Sequence, residues 1–233
     1  MIFRIRPKHV AFSMLGCITF LLIAHLIGRY LRFGLGHDYV YGLIPFFNLN
    51  EEDNLPSLYS GLTLIFSSLL FCLIGLTRRS ERESFSWHWL GLSVAFLFVA
   101  FDELFYFHER LDTLLRNKFH THGVFFYAWI VPYSIITIAI GVAYLRFFLA
   151  LSKRYRILFF SSAALFFSGA VGVESLGGAI ADTKGVMNFT YIACATVEEL
   201  LEMLGIALLV YGLLSYIETH WGSLIIDFRK PQN

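Results

Sequence analysis

Apolar residues gather along the chain in six long runs, roughly 10–31, 58–77, 87–109, 124–149, 157–181 and 189–216. A helix needs about 20 mainly apolar residues to cross a bilayer, and every run meets that length. The runs are continuous rather than alternating at period two, so they predict spanning helices and not barrel strands. The pattern therefore predicts an all-α fold, a polytopic transmembrane helical bundle of six spans. The first run is too long for a signal-peptide core and lacks a small-x-small cleavage site, which makes it a span. No internal repeat or low-complexity tract interrupts the series, and residues 1–233 are expected to form a single integral membrane domain. The longest connection, about 32–57, holds the acidic patch Glu51, Glu52 and Asp53 beside Pro56.

Composition agrees with that class. The chain is 57% hydrophobic and 15% charged, against roughly 45–50% and about 25% in soluble domains. A net charge of +1 leaves no basic face for nucleic acid. Cys17, Cys72 and Cys194 all lie inside apolar runs with no CxxC spacing, so neither a disulfide framework nor a thiolate metal site is expected. Lys and Arg fall unevenly between the two sides. Arg4, Arg6, Lys8, Arg78, Arg79, Arg82, Arg146, Lys153, Arg154, Arg156, Arg229 and Lys230 share one side, while Arg29, Arg32, Arg110, Arg116, Lys118 and Lys184 share the other. The positive-inside bias places both termini in the cytoplasm, with the chain in a bacterial inner membrane. Trp87 and Trp89 are expected to anchor the third span at the cytoplasmic interface.

Acids inside apolar runs change the picture from fold to chemistry. Asp102, Glu103 and Glu109 lie in the third run (DELFYFHE), Glu174 in the fifth (GVESLGG), and Glu198, Glu199 and Glu202 in the sixth (EELLE). An Asp at the centre of a spanning helix costs about 2.5–3.5 kcal/mol even on lenient scales. No Lys or Arg lies deep in a run to neutralise these groups, so protons or bound cations must. At 1.5 Å per residue, Asp102 and Glu174 sit about 22–26 Å from the cytoplasmic ends of their spans, and Glu198 and Glu202 about 13 and 20 Å from the outer end of theirs. In a core roughly 30 Å thick these positions form one layer.

Helical spacing predicts which faces meet. Tyr191, Ala195, Glu198, Glu202, Gly205, Leu209 and Gly212 recur at three- and four-residue steps and make one seam. Glu174 lies beside Ala170, Gly177, Gly178 and Ala181, small residues that let backbones approach in a membrane. Ala95, Val99, Asp102, Tyr106 and Glu109 are expected to share a face of the third span. His108 has Asp112 one turn on, a spacing at which a carboxylate fixes an imidazole tautomer. Pro132 predicts a kink in the fourth span. His25 reads as a hydrogen-bonded core histidine, and His120 and His122 as loop residues near the mouth of the acid layer.

Carboxylates with one His, drawn from several helices, are the donors that hard and borderline cations take. The Glu-x-x-His spacing of ferritin-like bundles is absent, as are HExxH and the His clusters of membrane desaturases. The EE pair resembles that of CAAX-type glutamate membrane proteases, but Met203 follows where those carry Arg, so nothing is carried over. The expected metal ligands are Asp102, Glu109, Glu174, Glu198 and Glu202, followed by Glu103, Glu199 and His108. The expected cofactor is a divalent metal, iron or manganese before zinc, because Glu outnumbers His. That makes the chain a membrane metalloenzyme, oxidoreductase or hydrolase, with membrane lipid around it and a lipid or other hydrophobic small molecule as substrate. The alternatives are a proton or divalent-cation transporter, a non-catalytic accessory subunit, or protonated acids acting as structural glue between helices.

Overall fold

A computed structural model describes residues 2–227; Arg229 and Lys230 of the charge pattern above lie outside the described residues. The chain opens with strand β1 (Ile2–Arg4) and enters helix α1 (Pro7–Leu35). Pro7 stands in the first turn, where a missing N–H costs no hydrogen bond, and Gly36 at φ 70° closes the helix. The short α2 (Leu43–Phe46) and a tucked loop lead to α3 (Leu55–Ser80). Asn54 and Ser57 cap α3 reciprocally, each side chain accepting the other's backbone N–H at 3.2 Å. Then come α4 (Ser86–Phe105), α5 (Phe107–Phe119), a 3-10 turn at Gly123–Phe125, α6 (Ile130–Ala143) and α7 (Leu145–Ala150). Helix α8 (Lys153–Phe167) passes through a π-helical segment, Ser168–Val173, into α9 (Glu174–Lys184). Helix α10 (Phe189–Trp221) and strand β2 (Ile225–Asp227) complete the described chain.

Among the described residues five helical segments are long and apolar enough to cross a membrane: α1, α3, α4, the α8–α9 segment and α10. The fold is all-α apart from one ribbon, in which β1 pairs antiparallel with β2. Helix α10 is the hub. It packs against α1, α3, α8, α9 and the π segment, and it buries Met203, Ile206, Leu209, Val210, Leu213, Leu214, Tyr216 and Ile217. The other helices turn large apolar side chains outward, among them Phe12, Phe20, Val94, Ile135, Ile138 and Phe160. So much exposed apolar surface marks a lipid-facing exterior, and the chain is a multi-pass membrane protein.

Lipid supplies no hydrophobic force between helices, so close backbone approach decides which faces meet. At Gly205 a Cβ would stand 2.8 Å from the Phe166 backbone N and 3.0 Å from the Ser162 backbone O. At Gly212 it would stand 2.9 Å from Phe159. The small residues of the predicted seam therefore seat α10 on α8.

Four expectations are corrected. The predicted third span ends at Phe105, because Tyr106 adopts a left-handed conformation (φ 58°, ψ 42°) that stops α4 and starts α5. Glu109 consequently does not share a helix face with Asp102. The predicted fourth span divides into the 3-10 turn, the 14-residue α6 and α7, with the break at Tyr144. Pro132 falls in the first turn of α6, where its ring meets no preceding carbonyl and imposes no mid-helix kink. Trp89 is 1% exposed, packed on Phe71, Phe147 and Tyr216, so the core holds it; Trp87 is the exposed one, under the Arg79 guanidinium at 4.2 Å.

Candidate functional site

The break at Tyr106 builds one wall of the site. Asp102 in the last turn of α4 accepts the backbone N–H of His108 at 2.9 Å and so caps the first turn of α5. Its other oxygen lies 3.2 Å from His108 Nδ1, and Tyr133 from α6 donates its hydroxyl to Asp102 Oδ1 at 2.9 Å. Asp102 is buried, with three donors on its two oxygens. The expected partner of His108 was Asp112; the reversal at Tyr106 turns the imidazole back onto Asp102 instead. Asp112, also buried, accepts the Ala128 N–H at 2.5 Å, with Arg116 3.9 Å away.

A second wall comes from the loop before α3. His25 on α1 accepts the Leu49 N–H at its Nδ1 (3.0 Å) and bonds Thr196 on α10 through Nε2 (3.0 Å). Arg29 clamps Asn48 and Asn50, and Asn50 donates to the Ile192 carbonyl at 3.1 Å. Tied on both sides, the loop carries Glu52 inward until its carboxylate lies 3.6 Å from His108 Nε2. Glu52, part of the acidic patch of the 32–57 connection, lies outside the expected ligand set. Its available signal was the asparagine-rich stretch 48–54 flanking it, which supplies caps and tethers for a folded-in loop.

Helices α9 and α10 supply the rest. Glu174 opens α9 immediately after the π segment; the Trp129 indole donates to it at 3.1 Å, and its carboxyl lies near that of Glu198 on α10. Gly169 in the π segment makes this approach possible, since a Cβ there would meet the Glu198 carbonyl at 2.7 Å and Glu202 Cγ at 3.1 Å. Nearby, Tyr127 and Tyr191 join their hydroxyls at 2.8 Å. Glu199 lies near Glu103, Glu52 and Glu174, and Glu202 near Glu199, Glu198, Glu103 and Glu174. Glu109 stands exposed on α5 at the rim, close enough to act on Glu52.

Thus Asp102, Glu103, His108, Glu174, Glu198, Glu199 and Glu202 are drawn into one acidic cluster at the end of the bundle away from the β ribbon, with Glu109 at its edge. Within the described residues no three His, Cys, Asp or Glu side chains stand in metal-ligating geometry. The ion pairs of the cluster come from His108 and, beside Asp112, Arg116.

Two groups outside the spanning helices report the field. Burial, then the negative charge of Glu109, raises Glu52 from 4.5 to about 8 despite His108 beside it. Burial works against a charged His108, but the hydrogen bond and charge of Asp102, with Glu52 and Glu174, outweigh it and raise the imidazole from 6.5 to about 9. Both folded values lie above the unfolded ones, so each proton stabilises the fold at low pH, and that stability is lost as pH rises through 8 and 9. Metal-free protein in detergent should therefore melt at progressively lower temperature from about pH 5 to pH 9. His108→Gln should flatten the upper part of that curve; a melting temperature that climbs with pH would contradict the assignment.

A family model described as Domain of unknown function (DUF8692) matches residues 14–216, and the chain belongs to that family. No curated protein and no solved structure matches it.

Proposed function

We propose that this member of DUF8692 is a membrane metalloenzyme whose acidic cluster holds one or two divalent cations. In this reading it acts as an oxidoreductase or hydrolase on a lipid or other hydrophobic substrate. The observation that carries the reading is charge: eight acids, Glu52, Asp102, Glu103, Glu109, Glu174, Glu198, Glu199 and Glu202, gather with a single His108 among them. Two divalent ions would cancel half of those eight charges, and hard oxygen donors with one nitrogen suit iron or manganese. Glu52 Oε2 is buried without a hydrogen-bond partner, which fits an acceptor awaiting a cation. Glu174, Glu198, Glu199, Glu202 and Glu103 would hold the metal from the bundle, with Glu52, Glu109 and His108 on the loop side.

Asp102, its oxygens already engaged by His108 and Tyr133, would fix the imidazole orientation rather than face the metal. A bound metal would supply oxygen activation or a water of lowered pKa. The chain's own groups would orient and neutralise, with Trp129 donating to Glu174 and Tyr133 to Asp102. Elemental analysis of the detergent-purified protein tests the reading. One or two equivalents of iron or manganese are expected, and a metal-free preparation made without chelator would overturn it.

A second reading, proton or divalent-cation transport, draws on the π segment beside Glu174. Helix discontinuities of this kind build ion sites in transporters. Weak, exchangeable and voltage- or pH-dependent binding would favour it over tightly bound metal.

We also propose that α6 and α7 together complete a sixth crossing, with both termini cytoplasmic. Pairing of β1 with β2 keeps residues 2–4 and 225–227 on one face, and an even number of crossings is needed for that. Reporters fused at the two termini should give the same cytoplasmic signal, and one inserted near Asn117 the opposite. Termini on opposite sides would reduce the count to five.

A further inference from the structure

At the β-ribbon end of the bundle, away from the acidic cluster, a cavity of about 270 Å³ opens between helices, lined by Arg78, Ser84, Trp89, Phe147, Ser152 and His220 among others. Its walls are aromatic. Trp89 lies 5.0 Å from Phe147 and 4.9 Å from Tyr216, and His220 stacks on Tyr216 at 4.0 Å. Arg78 enters from the last turn of α3; one guanidinium nitrogen donates to the Tyr216 hydroxyl and another pairs with Glu83. Its Nε is buried with no hydrogen-bond partner. His220 Nδ1 lies 2.8 Å from the Tyr216 carbonyl, which can only accept, so Nδ1 carries the proton and Nε2 is the nitrogen left for another group. Ser84 and Ser152 place two hydroxyls at the exposed rim, and Arg79, Arg82, Lys153 and Arg154 surround it in sequence.

We propose that this cavity binds a phosphate ester, the anionic oxygens meeting Arg78 and the rim hydroxyls, and an ester substituent or hydroxyl meeting His220 and the aromatic wall. A guanidinium with an unused buried donor calls for an acceptor, and basic pockets between spanning helices take anionic head groups. The aromatic wall suits the apolar or hydroxylated part of the ligand, which simple salt binding at a surface arginine would leave without a role. The ligand is either a phospholipid head group from the adjoining leaflet or a free phosphate compound. This site shares no residue with the acidic cluster, so it stands or falls independently of the metal.

The test uses the full chain in detergent, with binding read by native mass spectrometry and thermal shift against phosphatidylglycerol, diacylglycerol and inorganic phosphate. Saturable retention of phosphatidylglycerol over diacylglycerol, without response to inorganic phosphate, identifies the lipid source; a saturable response to inorganic phosphate identifies the free one. Arg78→Gln should weaken either by about tenfold to a hundredfold, the range for a hydrogen bond to a charged group. Because Arg78 also supports Tyr216, the Ser84→Glu/Ser152→Glu variant provides a second reading. Both positions are exposed, so the fold should survive while the added charges repel the anion. Equal retention of diacylglycerol, no saturable binding, or affinity unchanged in the double variant would each overturn the proposal.

Discussion

Replacing Glu198 and Glu202 together by alanine is expected to reduce the metal content of the purified protein from one or two equivalents to background. The two carboxylates stack one turn apart on α10, the helix that packs against α1, α3, α9 and the π segment, and Glu202 lies near Glu198, Glu199, Glu103 and Glu174. Removing both takes away the centre of the donor set rather than an edge. A graded series sharpens the result. Asp102→Asn leaves the proposed ligands in place but loosens His108, so metal affinity should fall about 10–100-fold, as outer-sphere changes commonly do. Glu218→Ala, an exposed acid near the far end of the same helix, should change nothing. Metal retained at full stoichiometry in the double variant would sink the assignment of these acids, even if the protein proved to contain iron.

Gly205→Val is expected to destabilise the bundle severely, by at least the roughly 1–3 kcal/mol that overpacking costs in a filled core. Glycine inside a helix is itself worth about 1 kcal/mol less than alanine. It is tolerated at 205 because the atoms a Cβ would strike, Phe166 N and Ser162 O, are backbone and cannot rotate away. The side chain would drive α8 from α10 and break the Ser162 hydroxyl bond to the Gly205 carbonyl, 2.8 Å long. Gly16→Val on α1 provides the contrast, since nothing lies within 4 Å of a Cβ there. Melting temperatures of the two variants in one detergent should separate clearly, with Gly16→Val near the parent. Gly169→Val joins the two predictions. Its Cβ would press on the Glu198 carbonyl, so it should lower both stability and metal content while every carboxylate is retained. Equal melting temperatures for Gly205→Val and Gly16→Val would contradict the packing account.

The sequence alone determined that the chain is a helical membrane protein and that the acids within its apolar runs need neutralising partners. Both follow from local rules: run length against bilayer thickness, and the cost of charge in hydrocarbon. It also determined the α10 seam, because residues three and four apart share a face whatever the partner is. What it could not determine was where the chain reverses. Tyr106 is an ordinary aromatic within an apolar run, and its left-handed turn is stabilised by Asp102 capping α5 and by Tyr133 arriving from α6, the second of these a contact distant in sequence. The same holds for Glu52. Its loop is folded inward by His25, Arg29 and Thr196 on two separate helices, so a carboxylate of a connecting loop became part of the cluster. The π segment lies between these extremes: its glycines were visible, but the extra residue per turn is fixed by Gly169 seated on the Glu198 carbonyl. Periodicity and solvation energy act on each residue in place, whereas reversals, inserted loops and bulges are decided by hydrogen bonds and close approaches that exist only once the helices have met.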